Sequence, residues 1–435
     1  MTSTEQPRSP TPLSPEPVPK VRRRKDNRAH NRPLVPIELE LTGFAHGGRA
    51  IGHADDGRIV FVEYAMPGER VIAEITNDTV AYIEATAVLV LQASEHRVEA
   101  PCGYFGRCGG CQLQHIDYSE QLRLKTSVVR DQLERIGQFD SVETEKKTLS
   151  MLGMENPWHY RNHMRYTVRR DGQVGFMQRG THRFLRIDQC EIASTRANEL
   201  LAAIQDRTMQ TRQISIRVGE QIDDFLIQPH LQWRPRTPAS RPSSGQRSYH
   251  ERLGNHDYRI SAAAFFQVNT RQAENLIRLV AERVLECQPQ VLVDAYSGVG
   301  TFAAQLAPEI GQILTIESSA AAEDDAAINL RGIENVERLF GSVEALLPNI
   351  DPAPDVVIID PPRSGLEPSV INTMIGSSTK RVVYVSCDPS TLARDLRLFV
   401  DGGFTLIDVQ PIDMFPHTQH IECVTVLDRS TERLR

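Results

Sequence analysis

Three stretches of this 435-residue sequence carry side chains suited to chemistry. In "CGYFGRCGGCQLQH", Cys102, Cys108 and Cys111 stand at C-x5-C-x2-C spacing, three of the chain's seven cysteines. An odd number of thiols argues against a disulfide framework and towards metal ligation or thiol chemistry. Spacing alone leaves zinc open as the metal. In "VVYVSCDPSTLARDL", Cys387 lies at the mouth of an apolar strand, and a helix starts at Asp388 or Ser390. A thiol near a helix N-terminus has its thiolate favoured by the dipole. In "DMFPHTQHIECVTVL", Glu422 enters the start of an apolar strand, where an unpaired carboxylate is costly. Burial there raises its pKa and suits it to proton transfer.

A cofactor is implied by a fourth stretch, "DAYSGVGTF". It has Gly298 and Gly300 but lacks the third glycine of a dinucleotide fingerprint. Glu317 ends the next apolar strand, where an acid accepts hydrogen bonds from ribose hydroxyls. An adenosine-containing ligand without a pyrophosphate fits these features, and S-adenosylmethionine is such a ligand. "VVIIDPPRSGL" adds Asp360 beyond another strand, with two prolines fixing the loop so that the carboxylate faces the same crevice. Thiol, acid and methyl donor together match methylation of uracil C5. That carbon is a poor nucleophile until a thiolate adds to C6, and the C5 proton must then be removed before the thiol can leave.

The elements that position these residues are readable in outline. Residues 1–34 are rich in Pro, Ser and charge and are expected to form a disordered basic tail. Residues 35–95 alternate in short segments punctuated by Gly-Gly, Asp-Asp-Gly and Pro-Gly, the pattern of a small five-stranded β-barrel. A helix is expected over 117–137, with Asp117 and Glu120 as a capping box, an apolar face of Leu122, Val129, Leu133 and Ile136, and Gly137 as its end. The remainder of 96–260 reads as β-rich and basic, and "WRPRTPASRPSSGQRSYHERLG" reads as an exposed loop. Over 261–435, the strands "VLVDA", "QILTI", "VERLF", "DVVIID", "RVVYVS" and "TLIDVQ" alternate with helices, as in a doubly wound, Rossmann-like parallel sheet. No apolar run approaches the length of a membrane span, which points to the cytoplasm.

Charge is divided unevenly. The net charge is -7, but residues 261–435 alone carry 24 acids against 13 basic residues, so RNA would be gripped by the first part. Residues 157–186, "PWHYRNHMRYTVRRDGQVGFMQRGTHRFLR", hold seven Arg against one acid, with Trp158, Tyr160, Tyr166 and Phe176 interleaved. Arginines for phosphate and aromatics for stacking suit looped or single-stranded RNA, with a solvated sheet and core aromatics as the alternative.

"FFQVN", "DAYSGVGTF", "IDPPRSGL", "YVSCDPSTLARDL" and "MFPHTQHIE", in this order, resemble the RNA 5-methyluridine methyltransferase family. The likeness covers nearly all of the chain after residue 35: the first barrel resembles a TRAM domain, and the cysteine run resembles that of the ribosomal-RNA branch. The resemblance implies that Cys387 is the nucleophile and Glu422 the base, and that Gln267, Tyr296, Glu317 and Asp360 line the S-adenosylmethionine site. It also implies that Cys190, in "RFLRIDQCEI", joins Cys102, Cys108 and Cys111 around a [4Fe-4S] cluster. A radical enzyme would need C-x3-C-x2-C, which the chain does not contain. The implied activity is class I methylation of uridine C5 in RNA, 23S ribosomal RNA first, by a monomer. Transfer RNA is the alternative target, and a non-catalytic TRAM-type RNA-binding or chaperone protein is the alternative class.

Overall fold

The computed structural model describes residues 35–235 and 240–430. The basic tail, and residues 236–239 of the stretch expected as a loop, lie outside them.

The first unit is a single curved sheet. Strands β1 (Ile37–Glu40), β2 (Gly43–Ala45), β3 (Arg49–His53), β4 (Ile59–Glu63), β5 (Arg70–Asp78) and β6 (Tyr82–Gln92) pair in the order β1-β5-β6-β4-β3-β2. Alternate residues point inward, so that Val60, Val62, Val71, Ala73, Ile83 and Ala85 form one core. There is one strand more than expected. The three-residue β2 folds back on β3 through Gly47 and Gly48, both left-handed (φ 96° and 71°), a conformation that costs glycine little.

The thiol-bearing loop leads into α1 (Tyr118–Arg135) and α2 (Ser141–Lys147). Asp117 caps α1 by accepting from the Ser119 amide. Glu120 does not close the expected box; it pairs with Arg123 at 2.6 Å, and the Asp117 amide donates to the His96 carbonyl instead. Val128, Val129 and Leu133 are buried, but Ile136, the C-cap of the helix, is exposed. Gly137 is required at that turn: a Cβ would lie 2.7 Å from the Leu133 carbonyl oxygen.

In the middle unit, β7 (His163–Val168), β8 (Val174–Met177), β9 (Phe184–Arg186), β11 (Gln213–Val218) and β12 (Phe225–Gln228) form an antiparallel sheet in the order β12-β11-β7-β8-β9. Short β10 (Thr208–Met209) and β13 (Gln232–Trp233) pair beside it. The sheet is covered by α3 (Thr195–Ile204), which the basic composition concealed. Its apolar stripe Ala197, Leu200, Leu201 and Ile204 has helical spacing. The end of the expected loop is strand instead: β14 (Ser248–Leu253) forms a hairpin with β15 (His256–Ser261), with Tyr249, Leu253, Tyr258 and Ile260 buried in the core of the last unit.

That last unit contains α4 (Thr270–Leu285), β16 (Val291–Ala295), α5 (Thr301–Leu306), β17 (Gln312–Glu317), α6 (Ala320–Asn329), β18 (Val336–Phe340), α7 (Val343–Leu346), β19 (Val356–Ile359), α8 (Pro368–Gly376), β20 (Arg381–Ser386), α9 (Pro389–Asp401), β21 (Phe404–Ile412) and β22 (Glu422–Arg429). The strands order as β18-β17-β16-β19-β20-β22-β21. The expected strands all form, but β22 is wedged between β20 and β21 and runs antiparallel to both. One face is covered by α4, α5 and α6, the other by α8, α9 and the buried residues of α1. Among the described residues, no helix is long and apolar enough to cross a membrane.

Candidate active site and thiol-lined cavity

Strand order reverses between β16 and β19, and the crevice outside their carboxyl ends is where open α/β sheets bind ligands. A cavity there is lined by Phe266, Gln267, Tyr296, Ser297, Gly298 and Asp360. Tyr296 is held left-handed at φ 62°, and its hydroxyl donates to Glu344 Oε1 at 3.1 Å. Gly298 is also left-handed, and a Cβ on it would meet no atom, so backbone faces open space. Its amide donates to Glu317 Oε2 at 2.9 Å, which fixes the acid at the end of β17. Buried Ser297 Oγ has no partner among the described residues. An orphaned hydroxyl, an open glycine and a fixed acid are consistent with an adenosine ligand here.

The β20–β22 register pairs Ser386 with Cys423. Cys387 follows β20 and Glu422 opens β22 at that same end, and the charge of Glu422 bears on the Cys387 thiol. Asp360 follows β19, the other neighbour of β20, and so reaches the same point from the donor side. Burial, then the charge of Asp360, holds Glu422 well above the usual carboxylate range, and burial pushes Asp360 up to about 7. Burial, and next the charges of Glu422 and Asp360, raise the Cys387 thiol to about 11. The helix dipole does not win in the free protein: burial outweighs it, and Asp388, the cap of α9, places its carboxylate on the Ser390 and Thr391 amides.

Arg363 stands in the second cavity with Cys387 and opposes these acids, lowering both Cys387 and Glu422. Its loop is anchored by Asp395, wholly buried, which accepts from the Leu366 amide at 2.9 Å and the Tyr384 hydroxyl at 2.8 Å. At Gly365 a Cβ would sit 2.6 Å from the Asp395 carboxylate. Sequence reasoning passed over Arg363 and Asp395. The signal for Asp395 was an acid on the apolar stripe Leu392, Leu396 and Phe399 of α9.

The segment leading to Glu422 is braced from outside the last unit. His417 is left-handed (φ 65°), buried, and stacked on Trp158 with ring centroids 3.7 Å apart. Gln121 of α1 binds both its amide and its Nδ1. Lys125, also of α1 and fully buried, donates to Asp413 at 2.6 Å and to the Phe415 carbonyl.

Cys102, Cys108, Cys111 and Cys190 line one cavity of about 320 Å³, together with Tyr104 and Arg161. All four are free thiols. Burial pushes Cys111 up to about 12 and Cys190 to about 11, with each other's neighbouring thiols adding to the rise at both. Among the described residues, no group of three or more His, Cys, Asp or Glu is drawn together as one ion's ligands. The Gln112 and Leu113 amides, just after Cys111, both donate to the His417 carbonyl, so this loop also rests on the segment before Glu422.

The basic stretch divides. Tyr160 and Tyr166 are buried and Phe176 stacks on Tyr166 at 5.0 Å, so these aromatics are core and not base platforms. Arg179 pairs with Glu63 and Arg186 with Asp188 and Asp206. Arg165, Arg170 and Arg183 are exposed, with no ion pair among the described residues, and remain available to phosphate.

A family model described as tRNA (Uracil-5-)-methyltransferase matches residues 254–430, and a TRAM domain model matches residues 36–88. An uncharacterized RNA methyltransferase of Gloeobacter violaceus is 36% identical, over 91% of this chain and 96% of its own length. Another, of Streptomyces avermitilis, is 33% identical over 91% and 99%. The solved tRNA (uracil-54, C5)-methyltransferase of Pyrococcus abyssi, in complex with S-adenosyl-L-homocysteine, superposes with a TM-score of 0.69 at 25% identity, covering 90% of this chain and 99% of that one.

Proposed function

Since the chain belongs to the tRNA (uracil-5-)-methyltransferase family and carries a TRAM domain, we propose that it methylates C5 of a uridine in ribosomal RNA through a covalent adduct on Cys387. It is an RNA methyltransferase that uses S-adenosylmethionine. The observation that supports the finer reading is that Cys387 and Glu422 lie at the same end of neighbouring strands β20 and β22, with the charges of Glu422 and Asp360 bearing on the thiol. The cysteine set resembling the ribosomal branch supports that target. Transfer RNA is the second reading, favoured by the substrate named for the Pyrococcus abyssi enzyme.

When bound, S-adenosylmethionine supplies an electrophilic methyl group and a sulfonium charge that favours the ionised carboxyls and thiolate around it. Gln267, Tyr296, Glu317 and Asp360 hold it. The Cys387 thiolate adds to C6, and the C5=C6 pair moves into an enolate on O4. C5 then takes the methyl carbon, and the sulfur keeps the bonding pair. Glu422 accepts the C5 proton, the electrons return to C5=C6, and the thiolate leaves. 5-Methyluridine should be missing from RNA of cells lacking the gene and restored when purified protein and methyl donor are added to that RNA. Its unchanged presence would refute the activity, and the position restored separates ribosomal from transfer RNA.

Cys102, Cys108, Cys111 and Cys190 would fit a [4Fe-4S] cluster: four thiols line one cavity, and neighbouring thiols oppose ionisation of Cys108, Cys111 and Cys190, so cations between them would be favoured. Such a cluster would staple the thiol loop to the middle sheet. Protein purified without oxygen should be brown, with near-stoichiometric iron and sulfide, and Cys190→Ser should lose both. Stoichiometric zinc without sulfide would overturn the cluster.

A further inference from the structure

We propose that His46, from the first domain, is a substrate-binding residue of the catalytic pocket, where with Arg363 it holds the phosphate beside the target uridine. This rests on the reading of Cys387 as the nucleophile. The cavity outside Cys387, about 260 Å³, is lined by Arg363, Asp388 and His420 and, across the domain boundary, by His46 and Gly47. His46 is exposed just after β2 and makes no hydrogen bond or ion pair among the described residues. Its charge bears on the pocket, lowering Asp388 and opposing protonation of His420. The Arg363 side chain is likewise exposed and unpaired among the described residues.

The turn that presents His46 is seated. Gly48 is buried, and a Cβ there would lie 3.1 Å from Gln419 Cβ and 3.3 Å from Leu113 Cδ2. The Gly48 amide donates to the Ala45 carbonyl, and Phe44 packs against Met66, Leu113 and Leu124. The backbone turn that carries His46 is therefore seated against the last unit, while the imidazole itself is exposed at the pocket.

What it binds follows from the charges. Uracil is neutral, and the C5 proton falls to buried Glu422. Two unpaired basic groups at the solvent side of the pocket match an anion, and the anion that accompanies a nucleotide in RNA is its phosphate. Asp388 does not satisfy them, being engaged as the α9 cap. The first domain thereby grips the reacting nucleotide itself.

The test uses full-length protein and, as probe, RNA from cells lacking the gene. His46→Ala should raise the apparent KM for RNA about tenfold with kcat within about twofold, the pattern of lost uniform binding. Affinity for S-adenosylmethionine should not move. His46→Lys should restore RNA binding and His46→Glu should weaken it beyond Ala. Because the side chain is exposed, the charge series reads out even if one variant is poorly folded. Equal KM for the Lys, Ala and Glu variants, or a fall in kcat at unchanged KM, would overturn the proposal. A 5-fluorouridine RNA control separates the two readings: if wild type traps it covalently and the charge series is flat, only the His46 assignment fails. If wild type does not trap it, the nucleophile assignment fails and this proposal goes with it.

Discussion

Cys387→Ala is expected to make no 5-methyluridine and no covalent RNA complex, a loss on the order of 10⁴-fold or more, the scale on which removal of a catalytic nucleophile acts. Without the thiol, C5 is never activated, and no other thiol can substitute: Cys423, next to Glu422, is buried and faces the core. RNA carrying 5-fluorouridine should form an adduct with wild type that survives denaturing electrophoresis, since fluorine cannot leave as a proton. An equally stable adduct with Cys387→Ala would refute the mechanism. The resting thiol adds a pH test. With its pKa near 11 it is protonated at neutral pH, so alkylation of the free enzyme should be slow and rise about tenfold per pH unit until the thiol ionises. Fast alkylation at neutral pH, levelling off below pH 8, would contradict the electrostatics described here.

Glu422→Gln is expected to act at a different step. Addition and methyl transfer remain possible, but the C5 proton has no acceptor, so a methylated enzyme-RNA adduct should accumulate while turnover falls by about 10²–10⁴-fold, the range of general base removal. Mass spectrometry of the denatured adduct should show the transferred methyl group. An adduct without it, or free methylated RNA at the wild-type rate, would remove Glu422 from the role of base. The pH dependence has a definite sign: burial and the charge of Asp360 raise Glu422 well above the usual carboxylate range, and a base must be ionised, so wild-type turnover should rise with pH above that range.

The chemistry was legible in the sequence further than the architecture was. Glycines, an acid after a strand and prolines after an acid are local devices, and one crevice at the carboxyl ends of β16 and β19 is lined by Gln267, Tyr296 and Asp360. The meeting of Cys387 with Glu422 depends on β22 entering the sheet antiparallel, a long-range pairing that periodicity does not reveal. Basic composition hid α3, and serine and proline hid the alternation of Tyr249, Glu251 and Leu253 in β14. Tyr160 and Tyr166 looked like stacking platforms because type without burial cannot distinguish a core aromatic from an exposed one.

The Lys125–Asp413 pair has a consequence for modularity. Both partners are out of water, and removing one member of such a pair costs about 3–5 kcal/mol because the other charge is stranded. A chain cut between α1 and β14 separates them, and also strips Val128, Val129 and Leu133 from the sheet they cover. The methyltransferase unit is therefore not a cassette that can be excised or grafted at its sequence boundary. Any recombination or redesign that moves the catalytic half must therefore carry α1 with it, although the two are far apart in the sequence.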